Sequence, residues 1–260
     1  MAIERITPGT IEWDAYYANH ITRYQFAAEK LKESRYVNLL DAACGVGYGA
    51  DHLSGIDGVK ITAIDRSELA LSTALKQFKK PNINFIIDDC HTLENASASG
   101  PFDAIISFET LEHLPYPEQF LKSSFNNLGP AGMLVVSTPN QLVSSPGNAL
   151  NWEYHEKEYT AAELYSLLIT SGFTNIQLYG QQLNLKGKIK NELRADLNRL
   201  WSNPFVRFGK WIQGSLRGRS FNAVLKETID DFEIIKFDDA ADIDRLLLDG
   251  PFVLIAIAFK

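Results

Sequence analysis

The chain has 260 residues, of which 45% are hydrophobic and 22% are charged, and its formal net charge is −7. This composition is typical of a globular domain and argues against a nucleic-acid binder that relies on overall positive charge. The N-terminal stretch has no apolar signal-peptide core, no apolar run reaches membrane-spanning length, and the two cysteines, Cys44 and Cys90, do not suggest a disulfide framework. We therefore expect a cytoplasmic protein with a single α/β domain over residues 1–260.

The first predicted element is a helix over residues 10–33, where apolar side chains recur with helical spacing. Aromatic residues are denser here than a helix that merely covers a sheet requires. One interpretation is that these rings pack into the core of the protein.

A glycine-rich loop follows the next predicted element, a buried strand that begins at Val37 and ends at Asp41. Glycines at 45, 47 and 49 let the backbone turn sharply and let a ligand approach the main chain closely. The amides at the start of the following helix then point toward that ligand. The pattern therefore predicts a nucleotide-cofactor loop.

The residues around this loop leave two cofactors open. Gly45, Gly47 and Ala50 fit the dinucleotide-binding fingerprint, so a nicotinamide-dependent oxidoreductase is one alternative. Asp41 argues against it, because a carboxylate is repelled by a pyrophosphate and attracted by a cation. S-adenosylmethionine carries a sulfonium and an ammonium and has no phosphate, so Asp41 favours that cofactor.

The segment Asp41–Gly47 resembles the first motif of the class I S-adenosylmethionine-dependent methyltransferases, [DE]-x-G-x-G-x-G, with Ala43 where the family usually has glycine. The resemblance covers residues 12–182 and the final strand. It implies that residues 1–35 form a helical lid over S-adenosylmethionine, with the stretch from His20 to Tyr24, which includes Arg23, facing the site. It also implies that Asp89 and the amide of Cys90 contact the adenine.

Asp65 ends a second predicted strand, over residues 59–64, and an acid at this place accepts hydrogen bonds from ribose hydroxyls with either cofactor. Its alternative role as a helix cap is weaker, because Ser67 is the better cap. Two adjacent carboxylates, Asp88 and Asp89, are ambiguous, and one interpretation is that Asp88 is simply solvated. The complete cofactor set that we expect is Asp41, Ala43, Gly45, Gly47, Asp65, Arg66, Asp89, Cys90 and Phe108.

Strands and helices alternate from residue 37 to 137, which predicts a doubly wound α/β fold with right-handed crossovers. The resemblance implies a Rossmann-like sheet of seven mostly parallel strands, with an antiparallel pair over 175–181 and 252–259. Ligands bind outside the carboxyl ends of such strands. Four acidic residues fall there, which favours a functional role for them: Asp41, Asp65, Asp89 and Glu109.

The segment Glu109-x-x-Glu112-His113 carries groups that could activate an acceptor hydroxyl. If it forms one helical turn, the three side chains share a face. Together with His155 they resemble the metal site of small-RNA 3′-terminal ribose 2′-O-methyltransferases and the Glu-Glu-His cluster of ubiquinone-pathway O-methyltransferases. One hypothesis is therefore a divalent metal, Mg²⁺ or Mn²⁺, bound by all four residues.

A second hypothesis needs no metal, because His113 or His155 can act as an unaided general base. Glu112 is the third candidate catalytic residue. In a third, Glu112 and His113 only help to close the cofactor pocket. The sequence around these residues resembles methyltransferases that act on glycans and natural products. This implies O-methylation of a sugar-bearing or polyhydroxylated small molecule or glycoconjugate, with an N-methyltransferase, a terminal-ribose RNA methyltransferase or a non-catalytic partner subunit as alternatives.

Residues 183–250, between the sixth and last predicted strands, form an insertion that we interpret as a helical cap on the substrate side. Its first half, residues 183–226, holds ten basic residues against two acidic ones, interleaved with aromatic side chains. Such a segment could attract an anionic acceptor or contact a membrane surface. The alternative is a helical hairpin with an aromatic core and a solvated basic face. Nucleic acid is not an expected partner of this acidic chain.

Overall fold

A computed structural model describes residues 6–34, 36–148, 150, 153–202 and 227–260. The helices among them are α1 (Ile11–Ser34), α2 (Tyr48–Leu53), α3 (Glu68–Gln77), α4 (Pro117–Asn127), α5 (Gln141–Ser144), α6 (Ala161–Thr170), α7 (Leu185–Ser202) and α8 (Ala240–Asp244). The strands are β1 (Asn38–Ala42), β2 (Lys60–Asp65), β3 (Ile83–Ile87), β4 (Phe102–Phe108), β5 (Leu128–Pro139), β6 (Thr174–Leu183), β7 (Phe232–Phe237) and β8 (Val253–Phe259). No described helix has both the length and the apolar character of a membrane span.

The strands form one sheet in the order β3-β2-β1-β4-β5-β8-β6-β7. Strands β1 to β5 are parallel, and β8, β6 and β7 pair in antiparallel fashion at one side. Successive side chains in a strand point to opposite faces, and the fully buried Leu39 and Leu40 accordingly belong to two different core clusters. Both faces of the central sheet are therefore covered, as expected for a doubly wound fold.

The predicted fold class is confirmed, but the predicted count of seven strands is wrong. The sheet has eight strands, because β7 lies inside the insertion that we had interpreted as helical. Its sequence, Phe232-Glu-Ile-Ile-Lys-Phe237, is rich in β-formers and pairs with six residues of β6. Without this strand β6 would be the exposed edge, so β7 covers backbone groups that would otherwise lack partners.

The described remainder of the insertion is tied to the sheet by ion pairs. Asp231 is fully buried and accepts a hydrogen bond of 2.6 Å from Lys190. Burial raises the pKa of Asp231, but hydrogen bonds from Lys190 and Thr228 outweigh burial and lower the pKa to about 2. The first turns of α7 are thus held against the turn at Ile229–Asp231. Residues 203–226, with most of the predicted aromatic positions, lie outside the described residues, and the cap and lid roles stay predictions.

Candidate functional site

The glycine loop lies where β1 ends, and its backbone is shaped for close approach. Ala43 and Gly47 have positive φ angles of 60° and 87°. A Cβ at Gly47 would lie 2.8 Å from the Cβ of Ala74 and 2.9 Å from the Phe85 ring, so only glycine fits there. A Cβ at Gly45 would meet no atom of the other described residues within 4 Å, apart from its two neighbours in the chain. The loop therefore leaves room above Gly45 for a ligand that contacts the main chain.

Asp41, at the end of β1, is a buried carboxyl group with one unsatisfied oxygen. Its Oδ1 accepts a hydrogen bond of 3.1 Å from the Tyr24 hydroxyl, whereas Oδ2 has no hydrogen-bond partner among the residues that the structure describes. Burial raises the pKa of Asp41 to about 7, although the bond from Tyr24 opposes this shift. A buried acceptor without a partner is costly, and a cation beside it would remove that cost. The group fits a positively charged ligand.

Asp65 connects the second strand to the glycine loop. Its Oδ2 accepts from the amide of Gly45 at 3.0 Å, and its Oδ1 accepts from the amide of Ser67 at 2.8 Å. Ser67 itself caps α3 by accepting from the amide of Ala70, as predicted. Asp65 is therefore free of the capping role and lies beside the loop, where its predicted contact with ribose hydroxyls can form.

The two adjacent acids after β3 have different environments. Asp88 was interpreted as solvated, which is wrong, because it is buried and accepts hydrogen bonds from the amides of Asp89, Asn95 and Ala96. Asp89 has 55% of its side chain exposed and accepts from both the amide and Nδ1 of His91. Asp88 thus shapes the turn, and Asp89 is left at the sheet edge for a ligand.

Arg23 is the main site residue that sequence reasoning left without a role. Its side chain is fully buried, and Nη1 donates to Asn19 and to Gln181, each at 2.8 Å. Within the described part of the chain, its Nε and Nη2 have no hydrogen-bond partner, and Nη2 lies 3.9 Å from Glu109. Burial, followed by the charge of Arg23, lowers the pKa of nearby His20 well below its usual range. A buried guanidinium with two unused nitrogens fits a carboxylate ligand.

The predicted metal and base residues fall into two groups. Each of Glu112, His113 and His155 offers one possible ligand atom, and these three atoms lie within 4.8 Å of one another. The ring centroids of the two imidazoles are 4.9 Å apart. Glu109 lies outside this group and accepts a hydrogen bond of 2.8 Å from Ser137. The assumption that Glu109 starts a helical turn is wrong. Glu109 has a φ of 51°, and the short helical turn begins only at Leu111. Its role as a ligand stays a prediction.

Glu112 is 1% exposed and accepts a hydrogen bond of 3.0 Å from Thr138. Burial and the charge of Glu109 raise the pKa of Glu112 well above its usual range. His113 donates from Nδ1 to the carbonyl of Tyr154 at 2.9 Å, because a carbonyl can only accept. A second cluster of possible ligand atoms, from Asp89, Cys90 and His91, lies at the predicted adenine end of the site.

Residues 13–178 match a family model described as a methyltransferase domain, which is more than half of the chain. This chain belongs to the class I S-adenosylmethionine-dependent methyltransferases. It is 33% identical over 172 residues to a probable S-adenosylmethionine-dependent methyltransferase of Mycolicibacterium smegmatis; the match covers 65% of this chain and 63% of that relative, which is less than two thirds of its length.

A ubiquinone biosynthesis O-methyltransferase of Rickettsia typhi is 27% identical over 212 residues, and the match covers 75% of this chain and 82% of that relative. Among solved structures, a possible histamine N-methyltransferase from Thermotoga maritima superposes with a TM-score of 0.56 and covers 94% of both chains. At 12% sequence identity, that likeness supports the fold alone.

The features of the site fit S-adenosylmethionine, the cofactor of this family. The Asp41 oxygen that accepts no described hydrogen bond suits the cations of the cofactor. The Arg23 nitrogens that donate no described hydrogen bond suit the carboxylate of the cofactor. Asp65 lies beside the glycine loop, where it can contact the ribose. When bound, the cofactor supplies an electrophilic methyl group on sulfur. Arg66 follows Asp65 in the sequence, and Phe108 is the last residue of β4. Both residues are also predicted to contact the cofactor. The individual cofactor contacts stay predictions.

The pKa of Asp41 predicts how cofactor affinity depends on pH. We expect the Kd for S-adenosylmethionine to rise as pH falls through about 7, since cation binding needs the ionised carboxylate and its pKa before binding is about 7. The rise should approach about tenfold per pH unit below that point, because one pKa unit corresponds to about 1.4 kcal/mol. Isothermal titration calorimetry between about pH 5.5 and 8.5 measures this dependence.

The matched control is Asp41→Asn, which should bind more weakly and lose the slope that the carboxylate causes. Tyr24→Phe removes the hydrogen bond that lowers this pKa, so it should move the inflection to higher pH. An identical slope in wild type and Asp41→Asn would show that another group causes the dependence.

Proposed function

We propose that this methyltransferase transfers the methyl group of S-adenosylmethionine to a hydroxyl oxygen of a sugar-bearing or polyhydroxylated acceptor. The observation that carries the proposal is the cluster of Glu112, His113 and His155 at the carboxyl edge of the sheet. Methyl transfer mainly requires alignment of donor and acceptor, but a hydroxyl group must also lose its proton. A carboxyl group with two imidazoles provides groups for that task.

The cluster can act with or without a bound divalent cation. Because Nδ1 of His113 carries the hydrogen donated to Tyr154, its lone pair is on Nε2, where it can accept a proton or bind a metal. Glu112 and the two imidazoles form a mixed oxygen and nitrogen set, which suits Mn²⁺ better than Mg²⁺. Such an ion would lower the pKa of a hydroxyl group placed beside it. We propose the metal-assisted form.

The relatives support oxygen as the methylated atom more than nitrogen. The Rickettsia typhi relative is named an O-methyltransferase and matches over most of both chains. The Thermotoga maritima structure, whose name suggests an N-methyltransferase, supports the fold alone. No contact among the described residues specifically favours an amine, a terminal RNA ribose or a nicotinamide cofactor.

The predicted anionic acceptor now rests on fewer residues. Three of the ten basic residues in the first half of the insertion form ion pairs with acidic residues in its second half, namely Lys186 and Lys190 with Asp231, and Arg194 with Glu227. The predicted role in acceptor binding then rests on Lys188, Arg199 and the five basic residues at 207–226. An anionic acceptor, a contact with a membrane surface and a cytoplasmic location all stay predictions.

Mass spectrometry after incubation with S-adenosylmethionine and a panel of sugar nucleotides, glycosides and catechols tests the proposed function. We expect an acceptor to gain one methyl group, and NMR of the product to place that group on oxygen. Glu112→Gln should lose this product, whereas Glu156→Gln, at an exposed position nearby, should keep it. A methyl group found on nitrogen or carbon would contradict the proposal.

A further inference from the structure

Glu158 is a buried carboxyl group that neither the predicted cofactor site nor the predicted metal set uses. Its side chain is fully buried, and Oε1 lies 2.7 Å from Nδ1 of His155. Its Oε2 contacts the hydroxyl of Ser144 at the end of α5. A buried carboxylate accepts hydrogen bonds and cannot donate them. The nitrogen of His155 that faces Glu158 is therefore the one that carries the hydrogen.

The backbone around Glu158 fixes the position of its carboxylate. Tyr159, the next residue, pairs with Asn140 in a β-bridge, and its carbonyl accepts from the amide of Gln141 at 2.9 Å. Thr160 then forms a capping box with Glu163 at the start of α6, as predicted. Glu158 thus lies on a short segment held at both the β5 end and the α6 start, and its carboxylate has little freedom to move.

The two imidazoles of the cluster are oriented in the same way by different acceptors. The carbonyl of Tyr154 holds Nδ1 of His113, and the carboxylate of Glu158 holds Nδ1 of His155. In the neutral form of each ring, the hydrogen lies on Nδ1 and the lone pair on Nε2. Second acceptors of this kind commonly fix the tautomer and orientation of histidines that bind metals or protons.

We propose that Glu158 is a positioning residue that holds His155 in the Nδ1–H tautomer, so that the ring uses Nε2 toward the acceptor or its metal. The inference rests on the proposed role of His155 in activating a hydroxyl group. It adds a carboxylate that acts through His155 and touches neither cofactor nor acceptor. Ser144 supports it by contacting the second carboxylate oxygen.

NMR of protein labelled with ¹⁵N at histidine tests this inference at about pH 9, where imidazoles are neutral. We expect the His155 signals, assigned by their loss in His155→Gln, to show the Nδ1–H tautomer. Glu158→Leu keeps much of the volume but has no acceptor, so its His155 should shift toward the Nε2–H tautomer. Glu156→Leu, the same change at an exposed glutamate two residues away, should leave the spectrum unchanged.

The same substitution should lower the turnover rate without changing cofactor affinity. We expect Glu158→Leu to lower kcat by about 10–100-fold, the usual cost of losing such a second acceptor, with the Kd for S-adenosylmethionine unchanged. A wild-type spectrum with the Nε2–H tautomer would overturn the inference, even if the variant does not fold. So would an Nδ1–H tautomer that persists in the folded variant. A product methylated on nitrogen, with His155 still Nδ1–H, would overturn the proposed function and leave this inference standing.

Discussion

Replacing Asp65 with alanine should weaken S-adenosylmethionine binding by at least about tenfold. We expect its carboxylate to accept hydrogen bonds from both ribose hydroxyls, and losing a charged hydrogen bond costs about 1.5–3 kcal/mol. The same side chain holds the amide of Gly45 at 3.0 Å, so the variant also loosens the glycine loop. Calorimetry measures the affinity, and circular dichroism confirms that the variant is folded.

The control for this experiment is Asp57→Ala, which removes an exposed acid in the loop before β2 and should leave affinity unchanged. Asp65→Asn keeps one acceptor oxygen and should fall between wild type and alanine. Unchanged affinity in a folded Asp65→Ala protein would show that the ribose does not lie at this strand end.

Chelation should abolish turnover of this methyltransferase while leaving cofactor affinity intact, if the metal-assisted form of the proposed function holds. Added Mn²⁺ should restore activity to the wild type, but not to Glu112→Gln or His155→Gln, which each lose a ligand. Electron paramagnetic resonance of bound Mn²⁺ provides a measure that does not depend on activity. We expect the two variants to lose the bound signal.

Glu109→Gln separates the predicted four-residue site from the three-residue group of the structure. Because Glu109 contacts Ser137 and faces Arg23, retained Mn²⁺ binding in this variant would assign the ion to the three-residue group, and lost binding would show that Glu109 is a ligand as predicted. Full turnover of the wild type in excess chelator would contradict the metal-assisted form of the proposed function. His113 or His155 would then act as an unaided base.

The cofactor edge could be predicted from the sequence because its signals are local. An apolar strand followed by Asp41 and spaced glycines is readable within about ten residues, and Asp65 is marked in the same way by the end of a strand. Parallel connections then bring these strand ends to one edge of the sheet without further information. The position of the cofactor loop follows from that argument.

The contacts that could not be predicted join distant parts of the chain. Arg23 bonds to Gln181, which is 158 residues away, and no local pattern pairs them. The β7 strand was missed because a six-residue segment of mixed polarity becomes a strand only when β6 is available beside it. The helical turn that we assumed at Glu109 was wrong for a different reason, since a positive φ at a residue other than glycine has no sequence signal here.

The eighth strand determines where the chain can be shortened. Removing residues 183–250 would delete Asp231 and β7 and expose the long edge of β6. Misfolding or aggregation of that variant would then give no information about acceptor binding. A cut between Ser202 and Glu227 spares these elements. Arg194, which lies 3.3 Å from Glu227, is eight residues before Ser202, or about 12 Å along the helix. A glycine and serine linker of about six residues can span that gap, and the shortened protein would isolate the contribution of residues 203–226 to acceptor choice.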